Sequence, residues 1–284
     1  MALKALSRFA GQWFVVKVGG ELVSDRSWFA QSIGGAVRSF LEAQIKVAVI
    51  HGAGPQATAL SQRLGLEPRT IAGRRVTDGP TLEVMKMTLA GQVSVEVAAA
   101  LRMAGVRTIA TTGVSAGLVE AVKRPPIRVP SQAAEPIDMG WVGDVAAINT
   151  SLFEMMAREG LVLALGSLAG DAQGQIFNIN ADTVATRVAA ALKAAKLFLV
   201  SNVPGVLRDV EDPSSRIAKL NPLEARAQIA QGIIRGGMVP KVEESLAMLE
   251  SGIGAIHIVG IQPPDALVQE VLHPGRFGTF FERA

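Results

Sequence analysis

Residues 47–57 read VAVIHGAGPQA: an apolar, β-branched run, then two glycines and a proline, then a segment with helical spacing. A short apolar run fits a strand buried on both faces, and a glycine turn feeding a helix is the start of a parallel crossover. Gly52, Gly54 and Ala57 also satisfy G-x-G-x-x-A, the turn that seats a pyrophosphate on a helix N-terminus. Two features argue against a dinucleotide. The loop follows the second strand rather than the first, and the next acid, Glu67, lies in GLEPRT, which does not read as a strand end. What survives is a backbone loop suited to some other anion.

Working outward, the same alternation runs along the chain. Strands are predicted at 13–18, 46–50, 107–112, 161–165, 196–201 and 254–259. Helical patterns fall near 26–43, 55–64, 80–104, 148–159, 182–195, 222–231, 241–251 and 264–272. Strands separated by helices predict an α/β fold, a mainly parallel central sheet covered on both faces. Residues 117–147 break the rhythm with four prolines and short alternating pieces, which predicts β-hairpins at the sheet margin. A shallow division is expected, with an N-terminal lobe over 1–175 and a C-terminal lobe over 176–284.

Composition narrows the function classes. With 49% hydrophobic and 19% charged residues over 284 positions, the chain can bury a sizeable core. A net charge of +3 with no run of five like charges argues against a nucleic-acid or membrane partner. The absence of cysteine excludes disulfides, thiolate catalysis and Cys-ligated zinc. His51, His257 and His273 are far apart, and no metal-ligand spacing occurs. The first twelve residues lack a secretory apolar core and no stretch reaches about 18 consecutive apolar residues, so a cytoplasmic enzyme is expected.

Four stretches place glycines or charge at strand ends. In KVGG, Lys17 closes the first predicted strand and Gly19–Gly20 let a backbone approach an anion; an ordinary turn with a surface lysine reads the same way. HGAGP is the second. In FNINADTVATRVAAALKAA (177–195), Asp182 could simply cap the alanine-rich helix, but Asn178 and Asn180 alternate on an extended segment and offer paired amides to a ligand. In IIRGGMVPKVEESLAMLESG (233–252), Pro240 marks a helix start and Lys241 falls in its first turn. A cation there opposes the helix dipole, so the pair suits a highly charged anion.

Together KVGG (17–20), HGAGP (51–55), GRRVTD (73–78), NINADTVA (178–185), SNVPGV (201–206) and GGMVPKVE (236–243) resemble the amino-acid kinase family, in order over about residues 13–280. Within it they are most similar to the branch that phosphorylates the γ-carboxylate of N-acetyl-L-glutamate in arginine biosynthesis. The resemblance implies a three-layer α/β/α sandwich with the acyl amino acid in the N-terminal lobe and ATP in the C-terminal lobe. Lys17 and Lys241 match the two catalytic lysines, and Asp182 the aspartate that holds them. Gly52, Ala53 and Gly54 match the loop for substrate and phosphoryl oxygens, Arg75 the grip on the substrate α-carboxylate, and Asn178 a substrate contact. The nucleotide would lie along Gly19, Gly20, Ser201, Asn202, Val203, Pro204, Gly205, Val206, Leu207, Ile233, Ile234 and Arg235. Mg²⁺ would be bound mainly through the nucleotide phosphates, with no metal ligand expected from the protein.

The chain also departs from the family pattern. Ala53 stands where a third glycine is usual, GVSAGL (113–118) replaces a glycine-rich turn carrying a lysine and an acid, and Asn202 stands for a more common aspartate. If position 53 requires positive φ, alanine is strained there. These departures keep two alternatives open: a kinase for amino-blocked α-aminoadipate in lysine biosynthesis, and a non-catalytic kinase-like protein that senses amino acid or nucleotide. The resemblance further implies a homodimer, or a higher homo-oligomer, built on the helix over 81–105. Residues 2–12 resemble the end of a helix that joins dimers in arginine-inhibited members. His257 matches a position near their effector site, although a plain strand histidine fits it as well.

Overall fold

The structure is a computed structural model and describes residues 2–71, 74–128, 135–209, 211–235 and 238–282, with the side chains of 238, 240, 241 and 244 also left undescribed. The strands in chain order are β1 (Trp13–Val18), β2 (Lys46–His51), β3 (Thr70–Ile71), β4 (Arg74–Arg75), β5 (Thr108–Thr112), β6 (Val119–Lys123), β7 (Gly143–Ile148), β8 (Val162–Gly166), β9 (Leu168–Gly170), β10 (Ile176–Asn178), β11 (Lys196–Val200), β12 (Lys219–Leu220), β13 (Ala255–Val259) and β14 (Gly278–Glu282). Eight of them form one sheet in the order β12-β14-β13-β11-β1-β2-β8-β5. The six central strands expected from sequence all lie in it and run parallel; β14 pairs antiparallel to β13 and carries β12 beside it.

The alternation of each strand explains the layers. Phe14, Val16 and Val18 of β1 enter one core with Val47 and Val49 of β2, while Trp13, Val15, Ala48 and Ile50 enter the other. The first core is closed by Phe29, Phe40, Leu89, Val97 and Leu267, and the second by Phe153, Val184, Val188, Ala225 and Leu246. Helices therefore cover both faces, which makes the molecule a three-layer sandwich.

Among the described residues, 117–147 place no hairpin on the main sheet. β6 and β7 pair antiparallel across a long connection, and they join β9 and β10 in a separate four-stranded sheet. Asn178 of that second sheet and Arg74 and Arg75 of the small β3–β4 hairpin line one cavity with Lys17 and Gly52, at the carboxyl ends of β1 and β2. The helix Gly79–Met103 is long and apolar enough to cross a membrane, yet it packs Leu82, Val84, Met85, Leu89, Val93, Val97, Ala100 and Leu101 into the core. At the N-terminus, the short helix Ala2–Leu6 buries Leu6 in the same core.

Candidate active site

The chain steps from β1 to β2 on one side and from β11 to β13 on the other, so its direction of travel switches at the β1–β11 seam. Open α/β sheets bind ligands outside the carboxyl ends of strands at such a point. Two adjoining cavities lie there, of about 240 and 250 Å³.

Strand alternation puts Lys17 on the same face of β1 as Trp13 and Val15, the face covered by the helix Ala181–Ala191. Its Nζ meets Asp182 Oδ1 at 2.9 Å, and both residues line both cavities. Asp182 is free to do so because it is not the cap. Asn180 is the N-cap, accepting from the backbone N–H groups of Asp182 and Thr183. The two asparagines thus have separate tasks, since Asn178 lines the first cavity and donates from Nδ2 to Thr77 Oγ1 at 3.1 Å.

Gly19, Gly20, Gly52, Ala53 and Gly54 all line that first cavity; the two glycines expected beside the nucleotide line this cavity and not the second. A Cβ on Gly20 would stand 2.9 Å from Ala53 Cα, so only glycine lets the two loops touch. Gln56 Nε2 ties them by donating to Gly20 O at 2.7 Å. Ala53 is buried with φ −145°, so position 53 does not require the positive φ at which alanine would be strained. It caps the helix Gly54–Arg63 through its backbone alone, leaving first-turn N–H groups free to meet an anion. The N–H of Gly52 is already engaged by Val18 O.

Arg75 reaches the same cavity from the β3–β4 hairpin, with Nη2 donating to Thr58 Oγ1 at 2.6 Å and to Gly54 O at 3.2 Å. Its Nη1 is buried without a partner among the described residues, and burial lowers the pKa of the guanidinium. A fork with one engaged and one idle nitrogen is suited to a carboxylate. Sequence reading missed Glu21, Arg74, Arg124 and Ser167, which also line this space. Arg124 is nearly buried and held by Asp144 through Nε (2.9 Å) and Nη2 (2.5 Å), a pairing that exists only because β6 and β7 meet.

The second cavity is walled by Leu199, Val200 and Ser201 of the β11 end, by Met248 and Ile258, and by Glu21 with the ion pair. Of the run expected along a nucleotide, Ser201 faces this space. Asn202 is exposed and Val203 and Pro204 are half-buried. Gly205, Val206 and Leu207 are buried, with Val206 N–H donating to Thr279 Oγ1. Ile234 is also buried, while Ile233 is half-buried and Arg235 exposed. Lys241 is the fourth residue of the helix Met238–Glu250, and its side chain lies outside the described residues, as do Gly236 and Gly237.

Two histidines are structural. His51 is fully buried, bonded through Nε2 to Ser94 Oγ at 3.2 Å, and burial holds its pKa at about 4. His257 sits on β13 inside the core, where burial again holds it at about 4.

The profile of the amino acid kinase family matches residues 12–260. An acetylglutamate kinase of Sorangium cellulosum (strain So ce56) is 47% identical over 265 residues, covering 93% of each chain. One from Anaeromyxobacter dehalogenans (strain 2CP-C) is 45% identical over 268 residues, 94% of this chain and 98% of that one. Among solved structures, N-acetylglutamate synthase from Neisseria gonorrhoeae superposes with a TM-score of 0.80 at 22% identity, covering all of this chain and 62% of that one. Giardia carbamate kinase gives 0.67 at 14% identity, covering 97% and 100%; these two likenesses are likenesses of fold.

Proposed function

Because the chain belongs to the amino acid kinase family, we propose that it phosphorylates the γ-carboxylate of N-acetyl-L-glutamate with ATP, forming an acyl phosphate and ADP in arginine biosynthesis. The observation that carries the reading is the Lys17–Asp182 pair, which lines both cavities and so stands where two reactants would meet. The full-length similarity to acetylglutamate kinases supports the choice of acceptor.

In this reading the acyl amino acid occupies the first cavity, lined mainly from the half up to about residue 175, with Asn178 and Asp182 entering from the other half. Arg75 takes its α-carboxylate and the Gly52–Gly54 loop its γ-carboxylate. ATP occupies the second cavity, in the half from 176 onward, along Ser201–Leu207 and Ile233–Arg235. A γ-carboxylate oxygen attacks the γ-phosphorus, and the bond to the β,γ-bridging oxygen breaks to release ADP. Such a transfer needs in-line positioning and charge neutralisation rather than protein covalent chemistry. Lys17 supplies one positive charge at the meeting point, Lys241 a second from the helix start, and Asp182 fixes Lys17. The carboxylates of Asp182 and Glu21 at this boundary suit a hard cation. Mg²⁺ carried on the ATP phosphates offsets their charge.

The enzyme acts in the cytoplasm as a homodimer or larger homo-oligomer. The outer face of the helix Gly79–Met103 exposes Met87, Val95 and Met103, and it continues into Ile109 on the edge strand β5. An apolar face beside an unpaired sheet edge is suited to a second copy. The functional test is an acceptor panel in a coupled ADP-release assay with hydroxylamine trapping of the acyl phosphate. N-acetyl-L-glutamate is expected to lead over N-acetylaspartate, glutamate and N-acetyl-α-aminoadipate. Preference for a blocked aminoadipate would replace this acceptor, and no turnover with any would remove the kinase reading.

A further inference from the structure

Thr77 is a fully buried polar residue. It sits at a junction of three segments above the first cavity. Its N–H donates to Met139 O at 2.9 Å, and its carbonyl accepts from Trp141 N–H at 2.6 Å. Gly140 lies between them at φ +74°, where any Cβ would collide with the Thr77 carbonyl. On the far side of the same segment, Asn178 N–H donates to Trp141 O at 2.9 Å. The strand pieces carrying Arg75, Trp141 and Asn178 therefore run side by side, joined by isolated bridges at Thr77–Gly140 and Val142–Asn178.

The hydroxyl of Thr77 adds a direction to this junction. It lies 3.3 Å from Arg75 O, to which it can donate its one proton. With the proton so placed it accepts from Asn178, whose amide presents Nδ2 to it at 3.1 Å. Turning Nδ2 toward Thr77 leaves Oδ1 for the cavity that Asn178 lines, and no group among the described residues donates to it. Resting on the kinase reading above, we infer that Thr77 is a positioning residue. It locks Asn178 with its acceptor oxygen toward the substrate, so the site requires an N–H on the acyl amino acid. The same hydroxyl links Asn178 to the backbone of Arg75, so the two substrate-facing groups keep a common register.

Two acceptors and three proteins test this. The acceptors are N-acetyl-L-glutamate and its ester analogue, in which oxygen replaces the N–H. The proteins are the wild type, Thr77→Ser and Thr77→Val, with Thr77→Ala in place of the valine variant should that one not fold. A site that demands a hydrogen bond rejects an analogue lacking the donor strongly. The wild type should favour the amide by about 10²-fold or more in kcat/KM. Without the hydroxyl, Asn178 can turn and donate to the ester oxygen. The preference should then shrink by about tenfold, with KM for the amide rising by a similar factor and KM for ATP unchanged. Thr77→Ser should restore both. A merely structural threonine would lower the melting temperature without moving the amide-to-ester ratio, and an unchanged ratio in the hydroxyl-free variant overturns the inference. A wild type that does not turn over N-acetyl-L-glutamate at all defeats the kinase reading instead.

Discussion

Two lysine–carboxylate assemblies sit on neighbouring strands of one sheet, and they have opposite relations to solvent. Lys17 lies toward the carboxyl end of β1, paired with Asp182 at 2.9 Å, with the two side chains 15% and 35% exposed to the cavities. Lys196 opens β11 at the amino end of the sheet, bonded to His257 Nε2 at 2.9 Å, and His257 Nδ1 in turn contacts Glu270 Oε1 at 3.1 Å. Since an ammonium only donates, His257 accepts at Nε2 and carries its proton at Nδ1. Everything around this second assembly is closed. The imidazole stacks on Phe198 and tilts against Phe280, while Glu270 also accepts from the N–H groups of Gly275 and Phe277. Burial brings the Lys196 pKa down to about 8. Residue type therefore does not separate a site from a core network. The end of the strand does, because the helices that follow the strands, such as Gly54–Arg63 after β2, begin at the carboxyl ends.

The contrast can be broken from either side. The largest effect should follow Glu270→Ala, which strands a buried ammonium and imidazole and should destabilise the fold by about 3–5 kcal/mol. Turnover per folded molecule should hold; a loss of kcat in a protein with unchanged denaturation midpoint would make the sealed assembly functional. Lys17→Ala should do the reverse, lowering kcat by about 10²–10³-fold while costing about 1 kcal/mol or less in stability, since water reaches Asp182. Lys241→Ala is expected to match it in rate, and near-normal turnover would remove Lys241 from the mechanism.

Acid should sharpen the difference. Below pH 6.5 the unfolded chain takes up protons at His51 and His257 that the folded chain refuses until about pH 4. Stability therefore falls as pH falls through that window, by roughly 2 kcal/mol per histidine between pH 7 and 5. Equal urea midpoints at the two pH values would contradict the buried neutral state. The smallest effects concern two alanines in glycine-rich turns. Ala116 has φ +53°, so Ala116→Gly should be neutral or stabilising by up to about 1 kcal/mol. Ala53, at φ −145°, gains no relief, and Ala53→Gly should cost about 0.5–1 kcal/mol. A reversed order in thermal melts would show that strain is not what separates them.

Much of this architecture was legible because it rests on local signals. Short continuous apolar, β-branched runs located the six central strands, and glycine followed by helical spacing located the loops at their ends. The ion pair was legible as two motifs, KVGG and NINAD, although capping by Asn180 rather than Asp182 was not. What escaped depends on distant partners. Arg124 looked like part of a proline-rich margin, since its role depends on Asp144 across the β6–β7 pair. β14 was overlooked because its five residues follow a glycine-rich turn and pair antiparallel, outside the alternating pattern. Thr77 read only as one letter of GRRVTD, and its hydroxyl gains meaning from Asn178, 101 residues away.

Lys17 and Leu199 are register partners on β1 and β11, and Leu199 walls the second cavity. The two adjoining cavities are therefore tied together at one rung of a backbone ladder, about 4.8 Å wide. The β3–β4 hairpin and the small second sheet, which supply part of the first cavity's lining, are mounted on this frame and do not belong to it. On the function proposed above, acceptor choice can be retuned, by drift or by design, through those attachments while the sheet keeps the two cavities in place.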